Sequence, residues 1–423
     1  MEKTELLINF ISRIGKEMLS CGANLERVNI TMESIAHHYG IHDLGIHSLS
    51  TMISISALGE EGRNVSKVTR VPPLILNMEK LRLITVLVKK VNKEKPEPEL
   101  LDSMLEDTLA GVKSHKESTR FIGFLIAIAA LTRLFGGLWQ DEIVAIVNTA
   151  LLFFLSKMFT KLRINHILTN FIELYIVGMI TGLLTWAGFV QNFYVVILAN
   201  AFFLIPGIPL VNSVRSIICG NELNGLLELF KVILESLSIV AGAAASYFIF
   251  SSCIGNLEDA FPPGDYSNLL YDAEIIVLSF LCSFGFGLTF HISWKEIGYA
   301  GIGAMLVRTV YILCLYFIPG YRFLIMLLAA FSADVFSESI AKIKHCPATY
   351  YLYAFVIPLI PGDLAAYSMF GVVWQNGTLF MENIIPLLES LLGISVGFVL
   401  ASSIMHYVRK IKLGRMFAHN IKR

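Results

Sequence analysis

The sequence predicts a mainly α membrane protein: a cytoplasmic α+β domain followed by ten transmembrane helices arranged as a 5+5 inverted repeat. Three observations carry that expectation. Of 423 residues, 55% are apolar and 16% charged, with a mean hydropathy of +0.66, far beyond the balance of a soluble domain. From Phe121 onward, apolar stretches long enough to cross about 30 Å of hydrocarbon follow one another with short gaps. Finally, FLIPGIPLVNSVRSIICGN at 203–221 returns as PLIPGDLAAYSMFG at 358–371. Each copy runs into a long apolar stretch containing Glu-Ser, at Glu235-Ser236 and Glu389-Ser390. Pro and Gly in mid-membrane break the helical hydrogen-bond ladder, and the freed groups persist only against protein or a watery cavity. Paired breaks of this kind point to a transport site.

Residues 1–118 are polar enough to form a soluble domain of their own. Apolar residues between 5 and 39 keep roughly helical spacing up to Gly40. HSLSTMISISALG (47–59) and NVSKVTRV (64–71) read as two or more strands around a Gly/Glu-rich turn. A helix is expected from about Leu74 to Val91, then a solvated break at KEKPEPE (93–99). Ser103 and Glu106 offer a capping box for a last helix toward Lys113. Two membrane units follow, at 119–262 and 263–423. Spans are expected near 121–138, 142–159, 167–189, 192–210 and 224–251, then 273–291, 296–317, 321–339, 349–370 and 383–407.

Charge supports an orientation. The first twenty residues carry charges throughout, so no cleaved signal peptide is expected. With the N-terminus inside, Lys157, Lys161, Arg163, Arg215, Lys295, Lys342, Lys344 and the tail RKIKLGRMFAHNIKR fall on one side, while 251–274 holds no Lys or Arg. This positive-inside distribution predicts an even number of spans in the plasma membrane with both termini cytoplasmic. Equivalent loops of the two units exchange charge, as units inserted in opposite senses require.

Charges inside apolar spans cost roughly 2.5–3.5 kcal/mol or more at the centre, so each calls for a role or a partner. The candidates are Glu173, Glu228, Lys231, Glu235, Arg308, Asp334, Glu338, Asp363 and Glu389. Glu228 and Lys231, at i,i+3 spacing, are expected to pair. Glu235 and Glu389 belong to the repeated motif, and a buried carboxyl at either could carry a proton; a neutral Glu bonded to a neighbouring helix is the structural alternative. Pro206, Gly207 and Pro209 shape the first break, with Asn212 and Arg215 following it; Pro361, Gly362 and Asp363 shape the second. An Arg taking a carboxylate and Asp363 taking an ammonium or a proton would suit a zwitterionic or anionic solute, although Arg215 also reads as an ordinary positive-inside anchor.

His37, His38, His42 and His47 cluster loosely, but at no zinc spacing, and the six cysteines show no CxxC pattern. No metal or other cofactor is expected. No Walker A, GxSxG or HExxH sequence is present, so nothing supports an ATP-driven pump. His47 with Ser48, Ser50 and Thr51 is raw material for a nucleophile, which keeps a membrane-anchored hydrolase as one alternative.

The segment GKEMLSCGANLERVNITMESIAHHYGI (15–41) resembles the opening motif of the threonine/serine exporter family. Gly22, Ala23, Glu26 and Arg27 match its soluble-domain signature, and Thr69, Arg70 and Val71 resemble its later strand motif. Pro206, Gly207, Pro361 and Gly362 match its broken-helix motifs. The resemblance implies proton-coupled export of small hydroxy amino acids by a transporter, not an enzyme. Small dicarboxylates such as succinate are the alternative substrates, because split members of the family are associated with them. Its partners are then a small solute, protons and the lipid bilayer, with no nucleic acid; a homo-oligomer is compatible with all of this.

Overall fold

The computed structural model describes residues 3–41, 43–59, 62, 64–254 and 269–420. His42, most of the 251–274 loop and the side chains of the basic tail lie outside the described residues. The N-terminal domain opens with α1 (Lys3–Ser20) and α2 (Leu25–His38). The helical spacing expected over 5–39 is met by these two helices, divided where Gly22 takes φ 111°, a left-handed conformation that ends a helix. Asn24 then caps α2 by accepting from the Arg27 amide at 3.0 Å, as an N-cap side chain should.

Three strands follow: β1 (Leu44–Leu49), β2 (Met52–Leu58) and β3 (Asn64–Arg70). They form one antiparallel sheet in the order β1-β2-β3, with Ile46 opposite Ile55 and Ile53 opposite Thr69. Alternation along β2 buries Ile53, Ile55 and Ala57 against α1, where a methyl group on Gly15 would sit 2.9 Å from Ile53 Cδ1. Next come α3 (Met78–Glu94) and α4 (Pro98–Ala110). The latter starts at Pro98 instead of Ser103, since Pro is preorganised for the first helical position.

The remainder is helical. In order come α5 (Glu117–Leu134), α6 (Trp139–Leu162), α7 (His166–Trp186), α8 (Phe193–Ala201), α9 (Gly207–Ile218) and α10 (Glu222–Phe250). Beyond the loop lie α11 (Leu269–Thr289), α12 (Ile297–Phe317), α13 (Arg322–Lys344), α14 (Thr349–Val356), α15 (Gly362–Val373) and α16 (Gly377–Asn420). Among the described residues, seven helices are long and apolar enough to cross a bilayer, or up to eight if the pair Thr349–Leu359 and Gly362–Val372, bent by 56°, counts as one span. The protein is therefore multi-pass. The segment expected to span 192–210 is instead broken at 202–206, between α8 and α9.

Matched backbone features recur 155 residues apart. Gly136 and His291 both take positive φ, 84° and 60°. They end α5 and α11 through the same turn, Gly137 N–H bonding to Thr132 O at 3.0 Å and Ile292 N–H to Gly287 O at 2.9 Å. Gly220 and Gln375 repeat this after α9 and α15, with φ 84° and 53°. Glycine contacts also correspond. A methyl group at Gly242 would lie 2.3 Å from the Phe171 carbonyl of α7, and one at Gly397 would lie 2.5 Å from the Leu327 carbonyl of α13. Small residues at such crossings let helix backbones approach closely.

Candidate translocation site

The two breaks have one geometry. Pro206 has φ −77° and ψ 62°; Pro361 has φ −78° and ψ 63°. Gly207 N–H reaches Ile205 O at 2.8 Å, and Gly362 N–H reaches Ile360 O at the same distance. Each is an inverse γ-turn centred on proline, whose fixed φ suits it. A 12-residue helix leaves each turn.

The breaks meet. A methyl group on Gly207 would lie 3.3 Å from Ile360 Cδ1, and one on Gly362 would lie 2.2 Å from the Phe202 ring. Glycine at both positions is what lets each break take the other's side chain. The first broken segment runs toward the N-terminal domain, since α10 begins beside it with Asn224 accepting from the Ser50 amide at 2.8 Å. The second starts at that domain, with Tyr353 bonded to Gly22 O at 3.0 Å. It ends at Trp374, whose ring lies 5.0 Å from Tyr247 near the far end of α10. The space between the breaks is closed to about 10 Å³, lined by Ile208, Val211, Asn212, Tyr353, Val356, Ile360 and Phe398.

The larger polar space opens beside α9. A cavity of about 1000 Å³ is lined by Asn24, Glu26, Arg27, Lys89, Arg215, Asp334, Glu338, Lys342 and His345, among others. It gathers the motif residues Glu26 and Arg27, the post-break Arg215 and two acids of α13. Gly22 and Pro209 line a neighbouring pocket of about 80 Å³ with Asn212. Asp363 does not line the cavity that holds Arg215; the cationic groups whose fields reach it are Arg322 and Arg308. The pairing of Arg215 with Asp363 around one solute therefore gives way to Arg215 facing Asp334 and Glu338. Sequence reasoning named both acids as costly charges but had no means of placing them opposite α9.

Glu235 is buried, with Lys231 Nζ 3.8 Å away at i,i+4. Lys231 thus forms its ion pair with Glu235 at i,i+4 and not with the expected Glu228 at i,i+3. Glu389, by contrast, is exposed, so the expected buried carboxyl is absent there. The Glu-Ser pairs lie 154 residues apart, whereas the structural repeat is 155. One residue is about 100° of helix rotation. The position matching Glu235 is Ser390, fully buried, and the position matching Glu389 is Leu234, 38% exposed.

One polar cluster escaped sequence reasoning altogether. Asn148, Thr149, Thr181 and Asn200 are fully buried. Asn148 Nδ2 donates to Thr181 Oγ1 at 2.9 Å, and Asn200 Nδ2 donates to Ala145 O at 2.8 Å and Thr149 Oγ1 at 2.9 Å. The cluster ties α6, α7 and α8 together just before the first break. In the N-terminal domain, His47 is exposed while Ser48 is buried, so the two point to opposite faces of β1.

Long apolar helices, two abutting broken segments and a large two-signed cavity define a multi-pass helical membrane transporter. The profile of the threonine/serine exporter family matches residues 9–250, and a second profile, described as threonine/serine exporter ThrE, matches residues 275–404. The chain belongs to the threonine/serine exporter family. It is similar to a threonine/serine exporter of Corynebacterium glutamicum, with 21% identity over 415 residues, covering 96% of this chain and 83% of that protein. No solved structure matches the chain.

Proposed function

We propose that the protein exports threonine and serine across the plasma membrane, driven by the proton gradient, along a path between the two breaks. The family match supports amino-acid export. The observation that carries the substrate reading is the large cavity, where Arg27 and Arg215 face Asp334 and Glu338. A zwitterion needs both signs: a guanidinium for its carboxylate and a carboxylate for its ammonium. The acids of the lining, Glu26, Asp334 and Glu338, suit the ammonium of a zwitterion, a group that a dicarboxylate lacks.

In this reading the chain has three parts: a cytoplasmic domain at 1–118 and five-helix units at 119–262 and 263–423. Counting α5 and the α8–α9 pair as spans makes ten, and the opposed directions of the broken segments support the inverted arrangement. Both termini are then cytoplasmic, and the large cavity is an inward vestibule. Proton coupling is assigned to Glu235, whose buried carboxyl lies 3.8 Å from Lys231 Nζ.

The test is flux in proteoliposomes. Threonine and serine should move down an imposed pH gradient and succinate should not. Arg215→Gln and Glu338→Gln should each cut that flux by about tenfold, the scale of one lost charge-assisted contact. Glu235→Gln should leave threonine–threonine exchange intact while removing its dependence on the gradient. Succinate moving faster than threonine, or flux indifferent to pH in the parent protein, overturns the reading.

A further inference from the structure

Tyr353 sits in α14, 7% exposed, at the meeting point of three parts of the molecule. Its hydroxyl donates to the Gly22 carbonyl at 3.0 Å and accepts from Asn212 Nδ2 at 3.1 Å. One oxygen therefore joins the soluble domain, the helix after the first break and the helix before the second. Gly22 is fixed for this role: φ is 111°, and a methyl group there would lie 2.7 Å from Leu76 Cδ2 and 3.0 Å from Met78 Cε.

The ring is also a wall. Tyr353, Ile208 and Asn212 line both the pocket of about 80 Å³ at the domain interface and the closed space of about 10 Å³ between the breaks. Removing the ring from this position would join the two. The repeat shows that packing alone does not demand a hydroxyl. The matching position in the first half is Leu198, equally buried at 4%, and the fold accepts it without any polar contact.

We propose that Tyr353 is the gate on the N-terminal-domain side of the pathway, and that the soluble domain holds it shut through the Gly22 carbonyl. This rests on the reading above that solute passes between the breaks. Opening requires both hydrogen bonds to part, so any movement of the soluble domain away from α14 favours the open form. The soluble domain thereby sets how often the inner gate opens.

Thiol accessibility tests this without reference to substrate. Val211 lines only the inner space and is 4% exposed, so Val211→Cys should react slowly with a water-soluble maleimide. Adding Tyr353→Phe should speed that reaction about ninefold to twenty-fivefold, since it removes both hydrogen bonds and each is worth roughly a threefold to fivefold shift in the open population. Asn212→Ala, which removes one of the two bonds, should give about half that effect on a logarithmic scale. The control is Tyr351→Phe, which loses a 2.7 Å bond to Glu296 on another face and should leave the rate unchanged. Tyr353→Phe without Val211→Cys measures reaction at the native cysteines. If neither Tyr353→Phe nor Asn212→Ala raises labelling, or if Tyr351→Phe raises it equally, the gate is elsewhere. Should labelling behave as expected while threonine flux is absent, the gate stands and the substrate reading falls.

Discussion

The two halves of the membrane region share a backbone and differ in what they bury. At positions 148 and 200 the first half places two asparagines, hydrogen-bonded across α6, α7 and α8. At 303 and 355, 155 residues later, the second half places Gly303 and Phe355, with the ring filling the space that a methyl group on Gly303 would enter at 2.1 Å. Both solutions pack the helix before a break against its neighbour. One uses directional polar contacts and the other a ring against a bare backbone. Shape is thus the repeated constraint, while polarity was free to diverge, and polarity gathers beside the first break, where Arg215 follows Asn212. A buried amide in a membrane interior is costly unless bonded, so an apolar alternative at the same place indicates that the asparagines serve more than packing.

The sharpest way to break this comparison is at the matched glycines. Gly242→Ala and Gly397→Ala each drive a methyl group into a backbone carbonyl, at 2.3 and 2.5 Å, which no rotamer change relieves. Each should cost about 3 kcal/mol or more, read as loss of folded protein after detergent extraction. Gly298→Ala, with nothing within 4 Å, should be neutral. If only one of the pair fails, the halves do not pack alike.

The next effect comes from the helix ends. Gly136 accepts its left-handed φ freely, but His291 holds φ 60° with a side chain, a conformation costing about 1 kcal/mol. Its ring repays this by accepting the His115 amide at Nδ1, 2.9 Å away, which ties the linker after α4 to the turn after α11. Burial first, then Arg120 and His115, pushes the His291 imidazole down to about 4. The unfolded ring, near 6.5, takes up a proton first as pH falls. Stability is therefore full above about pH 6.5 and lost progressively toward pH 4, by about 2–3 kcal/mol. Protease cleavage in the 111–116 linker should accelerate across that window. His291→Asn should flatten the profile, because an amide oxygen can replace the acceptor without titrating.

Much of this architecture was legible in the sequence. Hydropathy marked the apolar stretches, Ile-Pro-Gly marked both breaks, and the GANLER motif marked a surface that proved to face α9. Three things were hidden, each for a physical reason. The Glu-Ser pairs matched as letters at a spacing of 154, and only backbone contacts reveal that the true register is 155. Asn148 and Asn200 are ordinary residues in apolar stretches, and their meeting depends on how α6 and α8 cross. Asp334 and Glu338 were visible as charges, but nothing along the chain says that α13 faces α9 across a cavity.

Asn200→Leu probes the polar half directly. It removes the bonds to Ala145 and Thr149 and leaves Asn148 without its Asn200 partner. The expected cost is about 1–2 kcal/mol, the range for hydrogen bonds inside membrane bundles, seen as a lower thermal midpoint. Phe355→Leu, at the matched site, should cost a similar amount through the cavity alone, and Asn200→Leu should slow transport where Phe355→Leu does not. Equal transport in both would mean that the asparagines serve only the fold.

The smallest expected effect concerns the register itself. If the repeat is 155 residues, Glu389 matches the half-exposed Leu234 and not the buried Glu235. Glu389 is exposed on the outer surface of α16, where an uncharged amide is tolerated at least as well as a carboxylate. Glu389→Gln should therefore leave both stability and gradient-driven threonine flux unchanged, while Glu235→Gln uncouples the flux. Ser390→Ala should perturb more than Glu389→Gln, because Ser390 is fully buried and its hydroxyl bonds to Pro386 O at 2.8 Å, where the helix has lost a backbone donor. Should Glu389→Gln uncouple flux as Glu235→Gln does, the two glutamates are functional mates after all and the 154-residue register governs the chemistry even though the backbone keeps 155.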